Sequence, residues 1–408
     1  VVITGFGVEG LLGFCIFPLM TLYFALAIVV LVGFVLICRS ITTFIHEFGH
    51  GLAALLVTDG PVSIYIGSMG DPSTSRKYQI GRLLIFHRFS FWHSRGGLCV
   101  PGYTNSLVGQ FFYVLMGPIA SLLLALGIAV LTLALGGHDI VIIFAFIFLS
   151  SSMYDLWVNL KPYPYSIKLA DGSITFNDGQ LLLLIIASRK FSPGLRKGFY
   201  LYHRQKYGEA LALMEQAYAA GERQPELLSH LISLYVQTCN GEKGLALYRS
   251  EKNYFEAVPE YKFNLGIFYG MTANYDKAMT TFNSILYGQA DNAMVRVNRG
   301  FTLNLMGRYQ EAITDFDRAL VLTGQDSYAY SNRAYAYAQL GDLPAGKADL
   351  DLALKLDPNN SYCHLTKGII HLKEGDRQKA CTSFQRAKEL DPYTFSLDRY
   401  MAEACSPD

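Results

Sequence analysis

Long apolar runs in the first 160 residues leave this part of the chain few ways to fold. Four segments approach or exceed the ~20 residues a helix needs to cross a bilayer. They lie at about 14–38, 41–57, 108–135 and 140–160, the first interrupted early by Pro18. Arg39 and Ser40 read as a minimal turn between the first two, and Gly136 to Asp139 as the turn between the last two. Backbone groups inside a bilayer must be satisfied internally, so these runs are expected to be helices. No cleavable signal peptide is expected, because the first run is too long and another follows at once.

The 408 residues are 51% hydrophobic with a formal net charge of +1, but the apolar residues crowd into the first part. The second part is polar, charged and helical in pattern, which predicts a membrane domain followed by a soluble one. So balanced a charge gives no sign of a nucleic-acid partner. The loop from Asp59 to Leu107 carries Arg76, Lys77, Arg82, Arg88 and Arg95 against Asp59 and Asp71. Lys161, Lys168, Arg189 and Lys190 follow the last span. The positive-inside rule places that loop, both termini and the C-terminal half in the cytoplasm. Val62 to Ile66 and Leu83 to Phe86 read as strands, with turns at Gly96-Gly97 and Pro101-Gly102, giving a small β-hairpin at the membrane edge. The seven cysteines contain no Cys-x-x-Cys pair, so neither a disulfide framework nor a cysteine metal site is expected.

Inside the second run stands His46-Glu47-Phe48-Gly49-His50. On a helix, residues four apart share a face, so both imidazoles can reach one tetrahedral zinc ion. Glu47 can take a proton from an attacking water, the general-base role in metal-assisted hydrolysis. From Gly10 to Thr58 the only groups charged or titrating near neutral pH are Arg39, His46, Glu47 and His50. Each intramembrane ionisable residue costs on the order of 2.5–3.5 kcal/mol on insertion scales, which marks such a cluster as functional. His87 and His93 lack helical spacing and sit in an aromatic interfacial run, so they are weaker candidates. Two histidines leave one protein ligand open, and Asp155, Asp171 and Asp178 can each supply it.

This set resembles the site-2 protease family of zinc intramembrane metallopeptidases. The resemblance rests on His46-Glu47-Phe48-Gly49-His50-Gly51, on Gly117-Pro118, on Asn159-Leu160-Lys161-Pro162, and on Asp178-Gly179 ahead of an apolar run. It covers about residues 10–190. It implies a zinc endopeptidase whose third ligand is Asp178 and in which Asn159 contacts substrate or orients the site loop. It also implies a role in regulated intramembrane proteolysis of a membrane-spanning protein substrate. Asn177-Asp178-Gly179 opening an apolar helix favours Asp178, because a carboxylate is well placed at a helix N-terminus. Two departures from the family pattern stand out: fifteen residues separate Pro162 from Asp178, and Ser121 occupies the place of a usual Asn.

The second half repeats every 34 residues. Gly266, Gly300, Ala334 and Gly368 are in frame, as are Ala278, Ala312, Gly346 and Ala380, and Phe282, Phe316, Leu350 and Phe384. Pro358 and Pro392 fall at repeat ends. The spacing resembles the tetratricopeptide repeat, a helix–turn–helix unit. About six repeats are expected from 191 to 402, the first two degenerate. Such arrays take a peptide or protein partner in a concave groove. Asn298, Arg299, Asn332 and Arg333 recur on first helices, where they could line the groove or form a solvated face.

The expected fold is therefore all-α: a polytopic membrane helix bundle of about four spans over 1–190, then a tetratricopeptide α-solenoid over 191–408. The expected function is that of a zinc endopeptidase embedded in the lipid bilayer, with cytoplasmic repeats that recruit substrate or adaptor. Two other readings are open: a membrane-anchored scaffold with a vestigial site, against which the intact Glu47 argues, and a metal sensor or transporter.

Overall fold

The structure is a computed structural model that describes residues 8–68, 70–88, 96–169 and 174–405, with the backbone alone over 8–24. The chain forms two compact units, Val1–Lys206 and Tyr207–Asp408.

The first unit opens with one helix, α1 (Val8–Val57). The turn expected at Arg39-Ser40 is absent, and the two expected spans are one. Neither residue breaks a helix, and the hydroxyls nearby bond within it. Ser40 donates to the Leu36 carbonyl (3.0 Å) and Thr42 to the Cys38 carbonyl (2.8 Å). Two further long helices follow, α2 (Leu107–Ala134) and α3 (Asp139–Leu160). Among the described residues, three helices rather than four are long and apolar enough to cross a membrane: Ala25–Val57, α2 and α3. They meet around Cys38, Ala125 and Phe148, all buried.

Between α1 and α2 the expected hairpin is part of a larger sheet. Strands β1 (Val62–Ile66), β2 (Arg76–Ile80), β3 (Leu83–His87) and β4 (Gly97–Val100) lie in the order β2-β3-β1-β4. Only β2 and β3 make a hairpin. β3 runs parallel to β1, and β4 pairs antiparallel on the other side of β1 with Gly97 opposite Ile66. The sheet packs on the C-terminal part of α1 through Ala54, Val62, Ile64 and Leu83. Arg82 ties the two together by donating to the carbonyls of Leu55 (2.6 Å) and Thr58 (2.8 Å), which end a helix without basic residues of its own in the last turn.

The long stretch after α3 returns to its starting point. β5 (Ile167–Lys168) and β6 (Ile174–Thr175) pair antiparallel and lead into α4 (Asp178–Ser188). Next comes α5 (Pro193–His203). The 34-residue frame assigns α5 to the repeats, but it packs in the first unit. Arg196 donates to the Asn105 carbonyl (3.2 Å), and the rings of Tyr200 and Tyr103 lie 4.9 Å apart. The compact units divide at 206/207.

The second unit is a stack of helices. Second helices of successive repeats are α6 (Tyr207–Ala219), α8 (Gly241–Ser250), α11 (Tyr275–Gly288), α13 (Tyr309–Thr323), α15 (Leu343–Leu356) and α17 (Arg377–Leu390). First helices are α7 (Pro225–Gln237), α10 (Tyr261–Met271), α12 (Ala293–Leu305), α14 (Ser327–Leu340) and α16 (Ser361–Lys373). A short α9 (Lys252–Glu256) and a final α18 (Leu397–Cys405) complete it. The period has a packing cause. A Cβ at Gly266, Gly300 or Gly368 would overlap the ring of Phe282, Phe316 or Phe384 in its own repeat. Ala334 faces the smaller Leu350 instead. Arg299 and Arg333 are both partly buried. They grip the buried Asp315 and Asp349 with two hydrogen bonds each. Cys381 and Cys405 form a disulfide between α17 and α18, a pairing the cysteine spacing did not suggest.

Candidate metal centre

His46 and His50 occupy one face of α1, and that face is turned inward. Both are buried, as is Glu47 between them. Each imidazole is fixed from behind. His46 Nδ1 donates to Asp155 Oδ2 of α3 (2.6 Å), and His50 Nδ1 donates to the Tyr113 carbonyl of α2 (2.7 Å). With the proton on Nδ1, each Nε2 presents a lone pair. The two Nε2 atoms are 2.9 Å apart. Asp178 brings Oδ2 to 3.1 Å from His46 Nε2 and Oδ1 to 3.3 Å from His50 Nε2.

In that tautomer three electron-pair donors converge with no proton of their own between them. Left so, they repel; a cation resolves the repulsion. Asp178 Oδ2 is moreover a buried oxygen that accepts no hydrogen bond, a rare state for such an atom. His46, His50 and Asp178 each offer one ligand atom, all within 4.8 Å of one another. Two imidazole nitrogens and a carboxylate suit zinc and leave a fourth position for chemistry.

Glycines and a proline make room for this cluster. A Cβ at Gly117 would overlap the His50 ring, so α2 approaches α1 only because that residue is glycine. Pro118, at the same turn, removes one rung of the α2 ladder. Gly49 likewise lies against the Met116 carbonyl and Ala120. Gly97 of β4 sits directly on the Glu47 side chain, and a Cβ there would collide with the carboxylate.

Asp178 is aimed by its neighbours. Asn177 caps α4 by accepting from the Gln180 N–H (3.2 Å), and its amide donates to the carbonyls of Lys161 (2.6 Å) and Asn159 (3.2 Å) at the end of α3. Gly179 packs on the Leu160 carbonyl where a side chain would not fit. The fifteen residues after Pro162 thus leave and rejoin the same place, and the β5–β6 ladder closes the excursion. Asn177 was overlooked as a positioning group, although an Asn directly before Asp-Gly at a helix start signals it. Gly97 had no comparable signal, because it arrives through long-range strand pairing.

The remaining candidates fall elsewhere. Asp155 is not among the three convergent atoms; it binds the far side of His46. Asn159 donates to Asp155 Oδ1 (2.9 Å), so its amide is engaged in the same network. Ser121 also turns to Asp155, at 3.4 Å. His87 ends β3 and is not part of the cluster. Asp171 and His93 lie outside the described residues, as does Arg95.

Residues 19–159 match the family described as Peptidase M50B-like. The first unit carries a peptidase M50B-like domain. The match spans His46, Glu47, His50 and Asp155 and ends before Asp178. Residues 327–360 and 362–394 match the tetratricopeptide repeat family, whose members generally bind peptide or protein partners. No curated protein matches the chain. Similar solved structures include a tetratricopeptide repeat protein from Parabacteroides merdae, 18% identical over 56% of this chain and 92% of its own, with a TM-score of 0.44. MamA (41-end) from Desulfovibrio magneticus is 21% identical over 42% of this chain and 97% of its own, with a TM-score of 0.31. At these scores the repeat fold is read from its own glycine–phenylalanine packing, not from its neighbours.

Proposed function

We propose that this chain is an intramembrane zinc endopeptidase that hydrolyses a peptide bond within or near a transmembrane segment of a membrane-anchored substrate. The convergence of His46 Nε2, His50 Nε2 and an Asp178 oxygen beside the Glu47 carboxylate carries this reading. His46, His50 and Asp178 would hold zinc, which when bound polarises the scissile carbonyl and acidifies the attacking water. Glu47 takes the water proton as general base and returns it to the leaving amine nitrogen. Asp155 and the Tyr113 carbonyl hold the imidazoles in one tautomer and one orientation. The substrate helix must unwind locally to expose the bond, since helical carbonyls are shielded.

The repeats recruit the substrate or an adaptor. The basic 59–107 loop and the basic residues after α3 favour the cytoplasmic side for the repeats. This is the membrane half of regulated intramembrane proteolysis.

Zinc content of the purified, detergent-solubilised chain tests the reading. About one zinc per chain is expected in the wild type and in Glu47→Gln, and none in His46→Ala or Asp178→Ala. A wild type that holds no zinc after metal-replete preparation sinks the peptidase and leaves a membrane-anchored scaffold. Zinc lost in Asp171→Ala but kept in Asp178→Ala would move the third ligand.

A further inference from the structure

Repeat stacks of this kind contact mainly their neighbours along the stack. One segment breaks that rule. The turn between α17 and α18, Asp391 to Ser396, is stiffened by its own hydrogen bonds. The Asp391 carboxylate accepts from the Tyr393 N–H (2.9 Å), and Thr394 donates its hydroxyl to the Asp391 carbonyl (2.9 Å). Some of its outward contacts are those of an ordinary repeat end, such as Thr394 to the Ser361 hydroxyl (2.7 Å). Others cross the array. The Phe395 ring meets Phe301 of α12 edge-on at 5.9 Å, while its N–H donates to the Tyr362 hydroxyl (3.4 Å). The Cys239 thiol, after α7, donates to the Tyr393 carbonyl (3.0 Å). The Tyr393 hydroxyl lies over Gly208 of α6 in the space a Cβ would fill.

Repeats at both ends of the array thus meet through one turn of chain. Phe301, Tyr328 and Tyr362, from the first helices α12, α14 and α16, form an aromatic cluster around Phe395. First helices line the concave face of such a stack. The equivalent turn one repeat earlier, Asp357-Pro358-Asn359-Asn360-Ser361, has Asn359 and Ser361 where the last repeat has Tyr393 and Phe395. Two aromatic residues therefore replace polar ones at the turn that reaches across.

We propose that Phe395, with Tyr393 anchored beside it against α6, occupies from within the chain the concave site at which the array takes its partner, and that the partner is an extended peptide segment bearing two aromatic side chains two residues apart. Partner binding is then a displacement. A tethered segment competes at an effective concentration on the order of millimolar, which closes the site to weak ligands. Burial, with Asp391 adding to it, pushes the Cys239 thiol beneath Tyr393 up to about 12. The inference rests on the reading of the repeats as a recruitment module, not on the peptidase reading, and its test contains no proteolysis.

The test is anisotropy of a fluorescein-labelled Asp-Pro-Tyr-Thr-Phe-Ser peptide titrated with the full-length chain in detergent. The Tyr393→Ala/Phe395→Ala variant is expected to bind it at least tenfold more tightly than the wild type, and an Asp-Pro-Ala-Thr-Ala-Ser peptide is expected not to bind. Equal affinity for wild type and variant overturns the proposal. So does absence of binding to a variant whose far-UV circular dichroism matches the wild type, or equal binding of the alanine peptide. If the double variant loses helical signal, the single variants carry the test. Tighter binding by either sustains the proposal, and wild-type affinity in both overturns it.

Discussion

His46 and Asp155 meet at 2.6 Å through Nδ1 and Oδ2, on the side of the imidazole that faces away from Asp178. That geometry gives the two acids different work. Asp178 faces the convergent lone pairs, while Asp155 fixes the ring that supplies one of them. Partners of this kind are worth about 10–100-fold in metal affinity. Asp155→Ala is therefore expected to weaken zinc binding by about that factor without abolishing it. Asp155→Asn should lose less, because its amide oxygen still accepts from Nδ1. Competition with a chromogenic chelator reads both. Complete loss of zinc in Asp155→Ala, with zinc retained in Asp178→Ala, would reverse the roles.

On the proposed reading, two glycines separate metal binding from catalysis. Gly117 leaves space for the His50 ring, and Gly97 leaves space for the Glu47 carboxylate. Overpacking at such positions typically costs about 1–3 kcal/mol. Gly117→Ala should displace a ligand and lower zinc content. Gly97→Ala should leave zinc in place and lower cleavage of a transmembrane reporter, because only the base is moved. Equal zinc loss in both variants would show that β4 supports the whole cluster rather than Glu47.

Asn177 joins the start of α4 to the end of α3, so its loss should be felt at Asp178. Removing a helix cap costs about 1 kcal/mol. Asn177→Ala is expected to lower zinc affinity while leaving the far-UV signal of the repeats unchanged. Asn177→Asp restores the cap but not the amide donation to Lys161, and should recover only part of the affinity. Full recovery in Asn177→Asp would mean that the cap alone aims Asp178.

The parts of this molecule legible in its sequence are those set by short-range periodicity. His46 and His50 share a face because they are four apart on a helix, and the 34-residue frame returns Gly266, Gly300 and Gly368 to their phenylalanine partners. Asp178 could not be separated from Asp155 by spacing, since both acids lie close to His46 in space and far from it in sequence. What separates them is the closure of the β5–β6 excursion and the bridge made by Asn177. Continuity of α1 through Arg39-Ser40 was hidden because one Arg beside one Ser imitates a turn between spans. Gly97 was unreadable because β4 reaches Glu47 only by pairing with β1, on the opposite side from β3.

In the repeats, Arg333 donates to both oxygens of Asp349 (2.7 and 2.8 Å), and Arg299 does the same for Asp315. Both carboxylates are buried and both arginines only partly exposed. Stranding such a carboxylate costs roughly 3 kcal/mol, at the low end for a broken buried pair because water still reaches the arginine side. Arg333→Ala should lower the urea midpoint of the full chain, followed by far-UV circular dichroism. Arg333→Lys should recover part of it, since an ammonium cannot reproduce the fork. An unchanged midpoint in Arg333→Ala would mean that solvent already carries the Asp349 charge.

The third frame-matched pair offers the sharpest check on why the period exists. Ala334 and Leu350 stand where the flanking repeats have Gly and Phe, and both are buried in one cluster. In those repeats the glycine is obligatory because the ring takes the space of its Cβ. Leu350→Phe alone should therefore overpack against Ala334 and cost about 1–3 kcal/mol. Ala334→Gly alone should cost roughly 1 kcal/mol, since glycine is a poor helix residue and leaves a small void. Together they recreate the neighbouring pair, so the double variant should be more stable than the two losses predict. Denaturant unfolding of the wild type, both single variants and the double variant closes the cycle. Losses that add to within about 0.5 kcal/mol would mean that the two positions do not set each other's size.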